Sequence, residues 1–225
     1  LVGYPGYFDV HLARRLSRGR PVALISFISL YDTAVSDRDR VGSESPLARL
    51  LYRIDRAAFD AADAVLVDTE AQGRYYAELF AMEPGRFVRS FVGEDDTHFS
   101  PHPDRPRGDG PLRVLFFGTY VPLHGVETII EAAHLLRDDD GIHFTLVGKG
   151  PDYPRLRERA RQLAVDVDFR ADWIGTEELV GHIVDAHVCL GVFGTTAKAA
   201  RVIPYKVFDA AAVGRAIITR DSPAI

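Results

Sequence analysis

The chain is 225 residues long, 47% hydrophobic and 26% charged, enough to bury one large core or two smaller ones. Its formal net charge is -5, which excludes the basic excess that a nucleic-acid surface needs. A single cysteine, Cys189, excludes an internal disulfide framework, and no run approaches the roughly eighteen apolar residues of a membrane span.

Residues 7–18 place Phe8, Leu12 and Leu16 at helical spacing, with Arg14, Arg15 and Arg18 between and beyond them; this predicts an amphipathic surface helix. Residues 21–30 form a dense apolar run without strict alternation, the pattern of a central parallel strand. That strand delivers Asp32 into a loop, the place where ligands sit in open α/β sheets. Residues 35–46 are charged and carry glycine and serine, so they read as a mobile loop. A helix over 47–61 and a short strand over 64–67 follow. Thr69 and Gln72 fit a capping box, opening a helix that carries Tyr75, Tyr76, Leu79 and Phe80. A turn at 83–85 precedes a strand over 87–92.

Residues 101–111 hold four prolines and no core-forming side chain, the composition of a linker. The expected division is a first domain over 1–103, a linker over 104–111 and a second domain over 112–225. Strand and helix then alternate again: strands over 113–117, 142–147, 167–169 and 187–190, helices over 126–136, 153–164 and 177–184, the last capped by Thr176. The final stretch is a loop rich in small residues over 193–200, a helix from Pro204 that ends at Gly214, and a strand over 215–219. Repeated strand–helix–strand units predict an α/β fold with two parallel sheets, each covered by helices.

Several positions draw chemical attention. Arg201 and Lys206 flank a helix start that is itself electropositive, a seat for a diphosphate. Lys206 and Asp209 are three apart and share a helical face; Asp209 reads either as a surface acid or as a ligand group. His124, beside Gly125 at a strand–helix transition, either caps the helix or donates to an anion. Lys149 and Gly150 are either strand-exit chemistry or ligand contacts. Neither a G-x-G-x-x-G fingerprint nor a Walker A spacing is present. His11, His134, His143 and His182 are isolated, and His98 and His102 have no convincing third ligand, so no metal site is expected.

Four stretches in order carry a resemblance to a known family. They are the segment 92–101 with Gly93, Asp95, Phe99 and Pro101; the loop 117–125 from Phe117-Gly118 to His124-Gly125; the strand exit Gly148-Lys149-Gly150; and the helix-to-strand block 206–218 around Asp209 and Gly214. Together the chain resembles the retaining glycosyltransferases of family 4, which are built from two Rossmann-like domains in the GT-B arrangement. The resemblance implies transfer of a sugar from a nucleoside-diphosphate-sugar donor, UDP or GDP type, to an acceptor hydroxyl with retention at the anomeric carbon. It implies that no cofactor is required and that 112–225 is the donor-binding domain. Gly118, Thr119, His124, Gly125, Lys149, Gly150, Lys198 and Asp209 would line the donor site, with Asp209 on the ribose hydroxyls. Asp32, Lys206 and Arg201 would be the catalytic groups, with Asp32 facing sugar or acceptor and Trp173 placed either toward the nucleobase or in packing.

The departures from the family pattern are specific. Its arginine and lysine before Gly125 fall on Thr119 and His124, and its two glutamates, eight apart, fall on Arg201 and Asp209. Arg201, Lys206 and Lys198 are therefore expected to take over diphosphate binding. The competing readings are a non-catalytic sugar-nucleotide-binding module and a sugar-nucleotide epimerase of similar build. Both ends read as cut, so the chain is expected to be an internal piece of something longer. With no signal peptide legible, a cytoplasmic setting is expected. A sugar, lipid-linked or small-molecule acceptor is the expected partner, and a lipid-linked one would bring peripheral membrane contact through regions beyond the chain.

Overall fold

The structure, a computed structural model, describes residues 1–37, 40–102 and 110–225. It divides into two compact units. The first holds Leu1–Phe91 with Ala200–Val202 and Ser222–Ile225; the second holds Val92–Ala199 and Ile203–Asp221. Most of the expected linker lies outside the described residues; only Gly110 and Pro111 fall within them. Residues just before it group with the second unit because Phe99 is buried against Leu115 and Phe117 there. The His102 amide also donates to the Val213 carbonyl at 3.3 Å.

The first unit has a three-stranded parallel sheet in the order β1-β2-β3: β1 (Ala23–Ile25), β2 (Ala64–Val67) and β3 (Phe87–Arg89). Val2 bridges Leu24 on the other side of β1. The helices are α1 (Asp9–Leu16), α2 (Pro46–Ala61) and α3 (Glu70–Leu79). The core is aromatic: Phe59, Tyr76 and Phe80 are fully buried, and the Phe59 and Phe80 rings meet edge-on at 5.1 Å. The apolar run 21–30 yields only three strand residues. Beyond β1, Asp55 of α2, fully buried, draws in the Ser29 hydroxyl at 2.7 Å and the amides of Leu30 and Tyr31 at 3.1 and 2.8 Å. These bonds turn the chain out of the strand, and a π-helical turn over Asp32–Asp37 follows where the sequence suggested a loop.

The second unit is a five-stranded parallel sheet in the order β6-β5-β4-β7-β8. Its strands are β4 (Leu112–Phe117), β5 (Ile142–Val147), β6 (Asp168–Arg170), β7 (Val188–Leu190) and β8 (Ala216–Ile218). Along β4, Val114 and Phe116 join one buried cluster while Leu115 and Phe117 join another, as the two-residue period of a strand requires. Helices α4 (Val126–Leu135) and α5 (Tyr153–Gln162) serve the first cluster through Ile129, Ile130 and Leu156. Helices α6 (Thr176–Asp185) and α7 (Tyr205–Ala212) serve the second through Ile183 and Ala210. The helix α6 begins one residue earlier than expected: Gly175 holds the cap position without a side-chain bond, so Thr176 is not the cap. From β4 the chain winds outward to β5 and β6, then returns to β7 and β8 on the other side. The order reverses between β4 and β7, and a crevice at the carboxyl ends of those strands is the usual ligand seat.

Candidate functional site

The loops leaving β4, β5 and β7 meet at that carboxyl edge, and glycines let them meet. Gly118 follows β4 at φ 136°, a backbone state that side chains disfavour. A Cβ on Gly125, at φ 63°, would lie 2.3 Å from the Gly194 nitrogen and the Phe193 carbonyl carbon. A Cβ on Gly150 would lie 2.4 Å from the Tyr120 carbonyl oxygen. Backbone thus packs on backbone at the Gly125 and Gly150 crossings.

Lys206, in the first turn of α7, points into this edge. Its side chain is buried, and its Nζ lies 4.1 Å from the centroid of the Phe116 ring. A Cβ on Gly118 would come within 2.8 Å of that nitrogen. Among the described residues Nζ has no hydrogen-bond partner. Burial therefore pushes the ammonium down to about 7, against the attraction of Asp209. Asp209, one turn on, moves the other way. Burial raises its carboxyl far above the carboxylate range, helped by a hydrogen bond and the charge of Glu94.

His124 sits beside the same glycine. Its Nδ1 is bonded to the Thr119 carbonyl oxygen, so that nitrogen carries the proton. Burial and then the Lys206 charge bring the imidazole down to about 4. A neutral ring in this tautomer offers Nε2 as an acceptor; it donates to an anion only after taking up a proton. Thr119 and Lys149 are exposed. Both line a cavity of about 400 Å³ with Gly118, Gly148, Leu179 and Trp173, at the ends of β4, β5 and β6. Trp173 is 93% exposed, so it serves no packing role within the second unit. Lys198 is buried in the loop before α7. Among the described residues no group of three or more His, Cys, Asp or Glu side chains could hold a metal ion.

Arg201 and Asp32 belong to the first unit. The segment Ala200–Val202 groups there, and Arg201 Nη2 donates to Asp32 Oδ1 at 2.9 Å. Its Nε donates to Gln72 Oε1 at 3.2 Å, and its guanidinium lies 3.5 Å from the Tyr75 ring centroid. The Thr69 hydroxyl bonds to the Arg201 carbonyl oxygen. Gln72 therefore does not close the expected capping box. Thr69 still accepts from the Gln72 amide at 3.0 Å, but the Thr69 amide goes to Asp68. Asp32 has no exposed surface. Sequence reasoning singled out both residues but not their pairing, and it missed Gln72, Tyr75 and Glu94 as partners in the two clusters.

A doubly wound α/β unit with loops gathered at the strand-order reversal is a Rossmann-like architecture, in which ligands sit at that reversal. A profile of the family described as glycosyl transferases group 1 matches residues 111–225, just over half of the chain. The chain belongs to that family. Solved structures share the fold at low identity. Anabaena HepE in complex with UDP and glucose is 13% identical with a TM-score of 0.67; the match covers 97% of this chain and 57% of that one. The pneumococcal O-GlcNAc transferase GtfA in complex with UDP and GlcNAc is 15% identical with a TM-score of 0.61, over 94% of this chain and 40% of that one. A variant of S. aureus TarM, crystallised with UDP, is 13% identical with a TM-score of 0.61, over 89% and 36%. The chain thus spans between about a third and three fifths of the length of these structures. No curated protein sequence gives a significant match. The α/β architecture with parallel, Rossmann-like sheets and the GT-B relationship stand on these findings together.

Proposed function

We propose that the chain carries the donor site of a retaining glycosyltransferase, which takes a sugar from a nucleoside-diphosphate sugar and passes it to an acceptor hydroxyl. The supporting observation is Lys206: a buried, unpartnered ammonium held against Gly118 at the edge where β4 and β7 diverge. A cation left unsatisfied in the protein alone is stabilised by an anion placed against it. Departure of the diphosphate builds negative charge on the leaving oxygen, and a fixed cation with backbone amides lowers that barrier. The proposal requires no metal for this. His124 shapes the seat as a neutral ring, Gly118, Gly125 and Gly150 keep it narrow, and Asp209 faces the ribose. Thr119, Lys149 and Trp173 line the adjoining cavity, which suits a nucleobase. Arg201 already holds a carboxylate, so the diphosphate falls to Lys206, with buried Lys198 of the loop before α7 as the second candidate cation. Asp32, without exposed surface, keeps Arg201 in place rather than touching substrate.

One observation favours a second reading, a module that binds the donor without turning it over: Arg201 stands where the family pattern carries an acid, and it is neutralised by Asp32. Calorimetric titration with UDP, GDP and ADP tests the donor site. One nucleotide should bind in preference, and Lys206→Met should weaken it by about tenfold or more, the scale of a lost charge-assisted bond. Equal affinity in Lys206→Met and the parent chain would remove the donor site from this place. Binding without consumption of the matching sugar nucleotide would favour the second reading.

A further inference from the structure

Helix α1 takes no part in the reading above. It meets the core of the first unit with small side chains: Val10 is fully buried and Ala13 packs partly against the same cluster. Tyr7, just ahead of it, is buried with its hydroxyl on the Ile28 carbonyl oxygen. The large apolar residues lie on the other side. Phe8 at the cap, then Leu12 and Leu16, follow one another at four-residue spacing, and Leu12 lies about 200° around the helix from Val10. The three are 70%, 58% and 69% exposed. Tyr4 is half exposed as well, its ring edge-on to Tyr7 at 6.1 Å. Single apolar residues on a surface are ordinary. Three in register along one stripe form a patch, and such a patch marks contact with something apolar.

The charges beside the stripe identify its occupant. Residues 9–20 hold four arginines and one aspartate, a local charge of +3 in a chain whose total is -5. Arg14 is engaged within the protein, donating to Asp63 at 2.6 Å. Arg15, Arg18 and Arg20 are exposed, and among the described residues their side chains make no ion pair. Arg15 is three residues on from Leu12 and borders the stripe directly. We propose that α1 is a docking surface for an anionic lipid bilayer. Phe8, Leu12 and Leu16 enter the boundary between headgroups and acyl chains, while Arg15, Arg18 and Arg20 meet lipid phosphates. Arginine suits this place because its alkyl stem follows the apolar stripe inward and its guanidinium stays at the phosphates. A second copy of the chain is the poorer occupant, since α1 laid on α1 sets two basic flanks together. The contact is made from the surface: no helix among the described residues is long and apolar enough to cross a membrane. The docking surface goes beyond the donor-site reading and is independent of it, because every residue it uses belongs to the first unit.

The test is sedimentation of the chain with vesicles, of phosphatidylcholine alone and of phosphatidylcholine mixed with an equal part of phosphatidylglycerol. The chain should partition to the anionic vesicles at least about tenfold more strongly, and added salt should weaken that preference. Leu12→Asp should cut binding by about tenfold or more, and Arg15→Gln and Arg18→Gln by about fivefold each. Leu135→Asp, at an 80% exposed position of α4 in the second unit, should leave binding unchanged. Thermal unfolding of each variant checks the fold, and Leu16→Ser repeats the apolar arm at a second exposed position. No preference for anionic vesicles would overturn the docking surface. So would binding that ignores either Leu12→Asp or the two arginine changes, or that falls equally in Leu135→Asp. A concentration-dependent dimer that Leu12→Asp breaks, with no vesicle binding, would overturn it as well and give the stripe to a second copy.

Discussion

Lys206 illustrates how a single side chain carries a pH profile. Burial holds its folded pKa at about 7, well below the ordinary lysine value, so the ammonium is lost as pH rises through neutrality. Affinity for a nucleoside-diphosphate sugar, whose phosphates do not titrate in this range, should therefore fall by about tenfold between pH 6.5 and 8.5. Asp209 ionises toward the upper end of the same range, at about 8, and weakens anion binding in the same direction. His124, held at about 4, stays neutral throughout and adds nothing. Lys206→Met should flatten the lower part of the profile and leave the upper part. A profile of the same shape in the variant would show that another group sets it. The residue types at 206 and 209 were legible from their spacing and their place before Gly214. Their opposed titrations were not, because burial and the approach of Glu94 depend on a segment more than a hundred residues away.

At the scale of the element, the loops after β4 and β7 work as a pair. Gly125 sits at φ 63° with the backbone of Phe193 and Gly194 pressed against its α-carbon, and the Phe193 amide donates to the His124 carbonyl oxygen at 3.1 Å. Gly125→Ala should cost about 2–4 kcal/mol in denaturant unfolding, since it meets both a disfavoured φ and a backbone contact. An unchanged midpoint would mean that the loops can part freely. The sequence showed the glycine and the loop boundaries, but not which loop it met. Alternation of apolar runs located most strands and helices, yet the first strand spans only three residues, and the buried carboxyl of Asp55 holds the Leu30 and Tyr31 amides in a turn beyond it. No local pattern announces such an interception: Asp55 lies in a helix whose own periodicity treats it as an interruption of the apolar face.

For the whole chain, two compact units with separate cores mean that a probe in one reports on that unit. Cys189 is such a probe. It lies buried in β7, between β4 and β8, and burial pushes its thiol up to about 12. Thiol reagents at pH 8 should label it at least about a hundredfold more slowly than an unfolded thiol, with the rate rising in step with loss of second-unit structure in denaturant. Rapid labelling of the native chain would show that the centre of the five-stranded sheet opens readily. By itself the sequence determined the fold class, the restart of strand–helix alternation in the second half, and the family resemblance that the match over residues 111–225 then established. Those properties follow from periodicity, turn residues and short local motifs, all of which act along the chain. Only the tertiary structure decided which charges meet. It set Arg201 on Asp32 within the first unit, left the Lys206 ammonium without a partner, and brought Glu94 to Asp209. The physical reason is that side-chain pairing depends on distance after folding, and each of these groups finds its partner, or is kept from one, through packing of segments remote in sequence.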